Sequence, residues 1–135
     1  PAFADLDGDG DLDLVVGEYW GGLYYYDNVG SATSPSYEAV TGSANPFDGI
    51  DVGYSAPAFS DLDGDGDLDL VVGEDLGALY YYENVGSAAS PSYEAVTGSA
   101  NPFDAISVPL SSAPALADLD GDGDLDLVLG EYYGT

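Results

Sequence analysis

The chain has no lysine, no arginine and no histidine. Proteins hold DNA and RNA by neutralising phosphates with cationic side chains and releasing counterions, so nucleic acid is excluded as a partner. Anionic membranes are disfavoured for the same reason, unless a divalent cation bridges the two surfaces. Cysteine is also absent, which removes disulfides and thiol chemistry and, with histidine gone, the usual ligands of a zinc-type site. No apolar run approaches the roughly 18–20 residues of a membrane-spanning helix, so no membrane insertion is expected. No signal peptide is visible, and the chain opens at Pro1 rather than methionine. That reads as a mature chain or a window of a longer one.

What is present is acid. The 135 residues carry 26 Asp and Glu, for a formal charge of −26. A 45% hydrophobic content and 12 tyrosines argue against a disordered acidic tail, so the chain is expected to fold. Fifteen of the 26 acids sit in three copies of one nonapeptide, DLDGDGDLD, at residues 5–13, 61–69 and 118–126.

The nonapeptides belong to a longer repeat. Residues 1–56 and 57–112 agree at 45 of 56 positions, and a third copy begins at Pro114. Each unit reads as all-β. The segment PAFAD is a short apolar strand leading into the acidic loop. LDLVVGE (Leu12–Glu18) is a second strand, LYYYDNVG a third and SYEAV (Ser36–Val40) a fourth, followed by a turn-rich connection with Pro46, Gly49 and Gly53. Leu12, Leu14 and Val16 share one strand face and Val15 takes the other; Leu23 and Tyr25 oppose Tyr24 and Tyr26. Sheets that are apolar on both faces need cover on both sides, which stacked blades supply. The YYY runs are accordingly assigned to packing between blades. The expected fold is all-β, with propeller-type blades of four antiparallel strands: two full blades (1–56 and 57–113) and the first half of a third (114–135), as part of a larger propeller or repeat assembly.

In each acidic loop, carboxylates fall at positions 1, 3, 5, 7 and 9, with glycine at 4 and 6. That spacing lets a short loop curl around a hard cation. Asp5, Asp7 and Asp9 are directed inward, Asp11 contributes its backbone carbonyl and Asp13 closes the site. Oxygen-only ligands favour Ca2+ or Mg2+, and calcium is preferred because magnesium wants near-octahedral geometry and keeps its waters. The loop is not an EF-hand, since position 12 is Val16 within a strand rather than a bidentate glutamate. Nor is it a nine-residue β-roll, because the motif recurs about every 56 residues.

The stretch PAFADLDGDGDLDLVVGEYWGGLYYYDNVGS resembles the FG-GAP/VCBS repeat, the blade unit of integrin-α-like propellers and of many secreted bacterial proteins. The apolar PAF, the D-x-D-G-D-G-x-x-D loop, DLVVG and the aromatic strand ending in NVG match in order. The resemblance implies one Ca2+ between the first two strands of each blade. Its ligands by position are Asp5, Asp7, Asp9, Asp11 (carbonyl) and Asp13; Asp61, Asp63, Asp65, Asp67 and Asp69; and Asp118, Asp120, Asp122, Asp124 and Asp126. Propellers of this kind usually have about seven blades, more than this chain holds. A simple head-to-tail ring fits poorly with where the copies begin and stop, which leaves a longer array or edge pairing into a fibre.

Catalysis would have to use carboxylates or tyrosine. Glu18, Glu74 and Glu131 follow the second strand and invite comparison with a glycosidase pair, but they repeat with the blade, as structural residues do. Tyr19 and Trp20 stand where the next copies have Asp75–Leu76 and Tyr132–Tyr133; this variation marks either a sugar-stacking surface or loop-tip tolerance. SATSPS reads as plain linker in preference to a site for O-linked glycans. The function expected is a non-enzymatic, calcium-stabilised extracellular module, secreted or at the cell surface, with a structural or adhesive role. Its partners would be calcium, further blades and other copies of the repeat, including filaments. The alternative is a carbohydrate-binding propeller that holds glycans on the aromatics near Trp20.

Overall fold

A computed structural model describes residues 1–134. Ten strands form three antiparallel sheets, and no α-helix occurs among the described residues. The first sheet contains β1 (Ala2–Ala4), β2 (Asp13–Gly17), β3 (Leu23–Asn28) and β4 (Tyr37–Val40), in that spatial order. The second repeats it with β5 (Ala56–Ser60), β6 (Asp69–Gly73), β7 (Leu79–Asn84) and β8 (Tyr93–Val96). The third pairs β9 (Ala113–Ala117) with β10 (Asp126–Gly130). Consecutive strands pair as neighbours throughout, and the first strands β1, β5 and β9 of successive sheets lie beside one another. This is the blade-after-blade arrangement expected from the repeat.

The alternation of β6 shows what holds the blades together. Leu70 and Val72 point into a cluster shared with the first sheet, including Val15, Leu23 and Tyr25. Val71, between them, points into a second cluster with Leu79, Tyr81 and Phe103, against Leu116 and Leu127 of the third sheet. All three β6 residues have no solvent exposure. Full burial of each such side chain favours folding by about 1.5–3 kcal/mol, and it happens only because both faces of the strand are covered.

Register makes the face assignment concrete. Leu14 pairs with Tyr26, Val15 with Tyr25 and Val16 with Tyr24, so paired side chains share a face. Leu12 lies just before β2 and is exposed. The tyrosine runs divide. Tyr25 and Tyr81 are core, and Tyr82 packs against the first cluster, but Tyr24 and Tyr80 are exposed. The first tyrosine of each run therefore does not serve the packing that the sequence assigned to all three.

The long connection after β4 has a structural centre that its turn-rich composition hides. Past a single 3₁₀ turn (Gly42–Ala44), the Asn45 amide donates to the Leu23 carbonyl at 3.2 Å, and the Asn45 side-chain oxygen accepts from Phe47 N at 3.0 Å. Phe47 is driven between the first two sheets, where it stacks on Tyr93 with ring centres 5.1 Å apart. Phe103 repeats the insertion edge-on to Tyr81. The connection then passes so close to β2 that a side chain at Gly17 would collide with the Ser55 carbonyl; Gly73 stands in the same relation to Ser112. These glycines permit a close backbone approach.

Candidate metal centre

Each acidic nonapeptide joins the first and second strands of its sheet, so all three loops emerge at one end of the strands. The loop is built from its own aspartates. Asp5 accepts from Gly8 N at 2.8 Å and Gly10 N at 3.0 Å, while Asp7 accepts from Asp9 N at 3.1 Å and Asp9 from Asp11 N at 2.8 Å. Gly10 adopts φ of 93°, and Gly66 and Gly123 match it at 97° and 95°. This is a left-handed conformation that side chains resist, so the glycine turns the loop back on itself. Asp61, Asp63 and Asp65 reproduce the same bonds in the second copy, and Asp118, Asp120 and Asp122 in the third.

Asp13 is different from the rest. It opens β2, is 1% exposed, and accepts three hydrogen bonds: Leu6 N at 3.0 Å, Tyr25 OH at 3.1 Å and Asn28 N at 2.8 Å. One carboxylate thus ties the start of the loop, the middle of β3 and its end. Asn28 continues the chain of bonds, its side-chain oxygen accepting from Gly30 N and Ser36 N. Asp69 makes the same set with Leu62, Tyr81 and Asn84. Asp126 accepts from Leu119 N but is exposed; no third strand pairs with β10 among the described residues.

Carboxylate oxygens of Asp5, Asp7 and Asp13 lie within 4.8 Å of one another, as do those of Asp61, Asp63 and Asp69 and those of Asp118, Asp120 and Asp122. Ca–O distances run about 2.3–2.6 Å, so three oxygens at that separation can share one ion. The donor set is all oxygen, and the chain offers no cationic side chain to take the ion's place. The residues fit a hard divalent cation. Asp9 and Asp65 stand outside the first two triads, Asp126 stands outside the third, and the side chains of Asp11, Asp67 and Asp124 belong to none.

Electrostatics bear the strain of this crowding. Asp7 has its carboxyl raised above the ordinary range, first by partial desolvation in the loop and then by the charges of Asp9, Asp13 and Asp5, against a lowering bond from Asp9 N. Asp27, on β3, is raised by desolvation and by Asp13, Asp7 and Asp9. Burial, then the Asp13 charge and the hydrogen bond to it, push the Tyr25 phenol well above its normal range, so it stays a donor; Tyr81 is shifted likewise beside Asp69.

A family model, the FG-GAP-like repeat, matches residues 5–72 and again 61–129. The chain belongs to the FG-GAP-like repeat family. A search of curated proteins finds no match to it. FG-GAP repeats form β-propeller blades, and the four-stranded antiparallel sheets here have that form. The family is in general a structural repeat rather than an enzyme fold.

Two further sets of residues take their places in this frame. Glu74 is buried, with its carboxylate accepting from Leu76 N at 3.1 Å and Ala78 N at 3.3 Å, so it closes the β6–β7 turn. Tyr19 and Trp20 lie in the β2–β3 turn, at the opposite end of the strands from the aspartates, and are 61% and 77% exposed. Tyr25, Asn28, Tyr81 and Asn84, which sequence reading passed over, form the layer behind the candidate centre. Their signal was the unchanged YYY-x-NVG spacing from Asp13 and Asp69. Ala89 of the second blade also abuts the first loop at Gly8, where a side chain would clash with it.

Proposed function

We propose that the chain is a non-enzymatic, calcium-stabilised repeat module that works outside the cell as a structural or adhesive array. The observation that carries this reading is the placement of Asp13 and Asp69. Each belongs to an oxygen triad and also pins β3 or β7 to its loop. An ion held there is therefore joined to the strand pairing of the blade. Extracellular calcium modules bind at about 10⁻⁴–10⁻³ M, which matches calcium outside cells rather than in cytosol.

The carboxylate of Glu74 supports a structural role as well, since it is occupied by two backbone donors. For partners, the outer faces are informative. Phe3 on the first sheet and Val128 on the third are half exposed, whereas their counterparts in the middle sheet, Phe59 and Val71, are partly and fully buried by stacking. Further blades, of this chain or of another copy, are the natural cover for such faces. Sedimentation velocity in 2 mM calcium and in chelator tests the array: calcium-dependent association, with elongated particles by electron microscopy, is expected. A chain that stays monomeric at all concentrations in calcium would refute self-assembly.

A further inference from the structure

The end of the blades away from the aspartates carries its own arrangement. Tyr19 and Tyr54 of the first repeat, Asp75, Leu76 and Ser111 of the second and Tyr132 of the third line a cleft of 220 Å³ that crosses all three blades. Its walls are fixed by backbone bonds between the β2–β3-type turns and the connections: Tyr54 N to Tyr19 O at 3.2 Å, Ser111 N to Asp75 O at 2.9 Å and Tyr132 N to Leu110 O at 3.1 Å. The rings are nonetheless free toward solvent. Tyr19 is 61% exposed, Tyr132 71% and Trp20, beside Tyr19, 77%.

Tyr54 adds a second, independent observation. It sits at φ of 59°, the left-handed region, as its counterpart Ser111 does at 48°. The connection requires that conformation in both repeats, and a bulky tyrosine is a poor choice for it. The ring is half exposed, so core packing does not explain it. It lies edge-on to Tyr19 with centres 5.0 Å apart, and Tyr19 is edge-on to Trp20 at 4.9 Å. Strained residues that packing does not require gather at functional sites.

We infer that this aromatic cleft seats the guanidinium or ammonium groups of a basic polypeptide segment. Charge complementarity decides the class of partner. Aromatic faces attract cations, Asp75 supplies an exposed carboxylate in the cleft, and no lysine, arginine or histidine anywhere in the chain competes for either. Three calcium ions would cancel only a small part of the −26 charge, so the field still draws cations in. A single exposed cation–π contact strengthens binding only about two- to fivefold, too little for a lone small cation. Trp20 beside Tyr19 and Tyr133 beside Tyr132 extend the exposed aromatic surface beyond the cleft lining, which suits a chain that places several contacts at once.

The test uses the full chain in 2 mM calcium and 150 mM salt, with fluorescein-labelled hexa-arginine titrated by anisotropy. Tyr19→Leu, Tyr132→Leu and Asp75→Asn are each expected to weaken binding about two- to fivefold. Leucine keeps apolar area and removes the π face, and Tyr19→Phe should bind as wild type. Glu94→Gln, which removes the same charge from the exposed β8, should leave affinity unchanged. All four positions are exposed and tolerate these changes at the surface, and melting in calcium confirms that each variant is folded. Equal affinity for every variant would mean diffuse attraction to the acidic surface and would overturn the inference. So would failure of hexa-arginine to bind, or binding of a neutral chito-oligosaccharide that depends on the same tyrosines while the peptide's does not.

Discussion

Removal of calcium is the perturbation to which the proposed centres should respond most. In each triad the oxygens are within 4.8 Å of one another, where two unit charges repel by about 3–4 kcal/mol at an effective dielectric near 20. The donors from Gly8, Gly10, Leu6 and Asn28 offset part of this in the first blade, and no cationic side chain offsets the remainder. An ion that binds only the folded loop adds stability as RT ln(1 + [Ca]/Kd). With Kd of about 0.1–1 mM and 10 mM calcium, that is about 1.4–2.7 kcal/mol per site. Three independent sites give roughly 4–8 kcal/mol, and for a chain of this length the melting temperature should fall by about 12–25 °C on chelation. Circular dichroism melts in calcium, in EGTA, and in EGTA with sodium chloride at matched ionic strength measure it, and isothermal titration gives the stoichiometry. Sodium should recover only a minor share, since it screens without being held. Coincident melts in calcium and EGTA would refute the coupling between triads and fold, whatever the sequence of the loops.

Two further outcomes follow from the second layer. Asp69→Asn should destabilise the calcium-loaded protein by about 2–3 kcal/mol in urea melts, because an amide cannot accept from Leu62, Tyr81 and Asn84 together and a buried donor is left unpaired; Asp126→Asn, exposed and bonded to Leu119 N alone, should cost under about 1 kcal/mol, and equal costs would contradict the burial difference. At alkaline pH, Tyr25, Tyr81 and Tyr93 all have raised folded values, so stability is fully present below pH 10, where unfolded tyrosine titrates, and is lost above it. The decline should be about 1 kcal/mol per tyrosine over the first pH unit, seen as falling midpoints between pH 9 and 11; ionisation of every tyrosine near pH 10 in the folded protein at 295 nm would count against it.

The blade was legible because its rule is local. Alternation in LDLVVGE and LYYY puts Val71 on one face and Leu70 and Val72 on the other, and the structure sends them to different clusters. The loop was legible for a similar reason: carboxylates at alternate positions, with glycine at 6, already describe a turn that gathers its own acids. What escaped was set by partners distant in sequence. Asn45 reads as a turn residue until its amide meets the Leu23 carbonyl and seats Phe47 between sheets. Tyr24 and Tyr25 are neighbours of one type, yet one is exposed and one buried, because only Tyr25 faces the next blade and finds Asp13. Tyr54 gave no signal at all, since its backbone conformation is dictated by the connection around it.

The three nonapeptides make the same point from the other side, because identical sequence does not produce identical sites. In the first two copies the ninth residue is buried and within its triad; in the third, Asp126 is exposed and the triad is made of Asp118, Asp120 and Asp122. The difference lies in β3 and β7, whose tyrosine and asparagine grip Asp13 and Asp69. A loop alone can gather three carboxylates by its own Asx bonds, but the neighbouring third strand fixes the ninth. At the proposed centre, ion and strand would act on the same carboxylate: pairing of the third strand orients Asp13 or Asp69, and an ion held there would fix the carboxylate that receives that strand. Thermodynamic linkage requires the coupling to run both ways. Calcium affinity in a given loop therefore reports the grip on its ninth residue, and the third loop, whose Asp126 is exposed and bonded to Leu119 N, should bind more weakly than the first two.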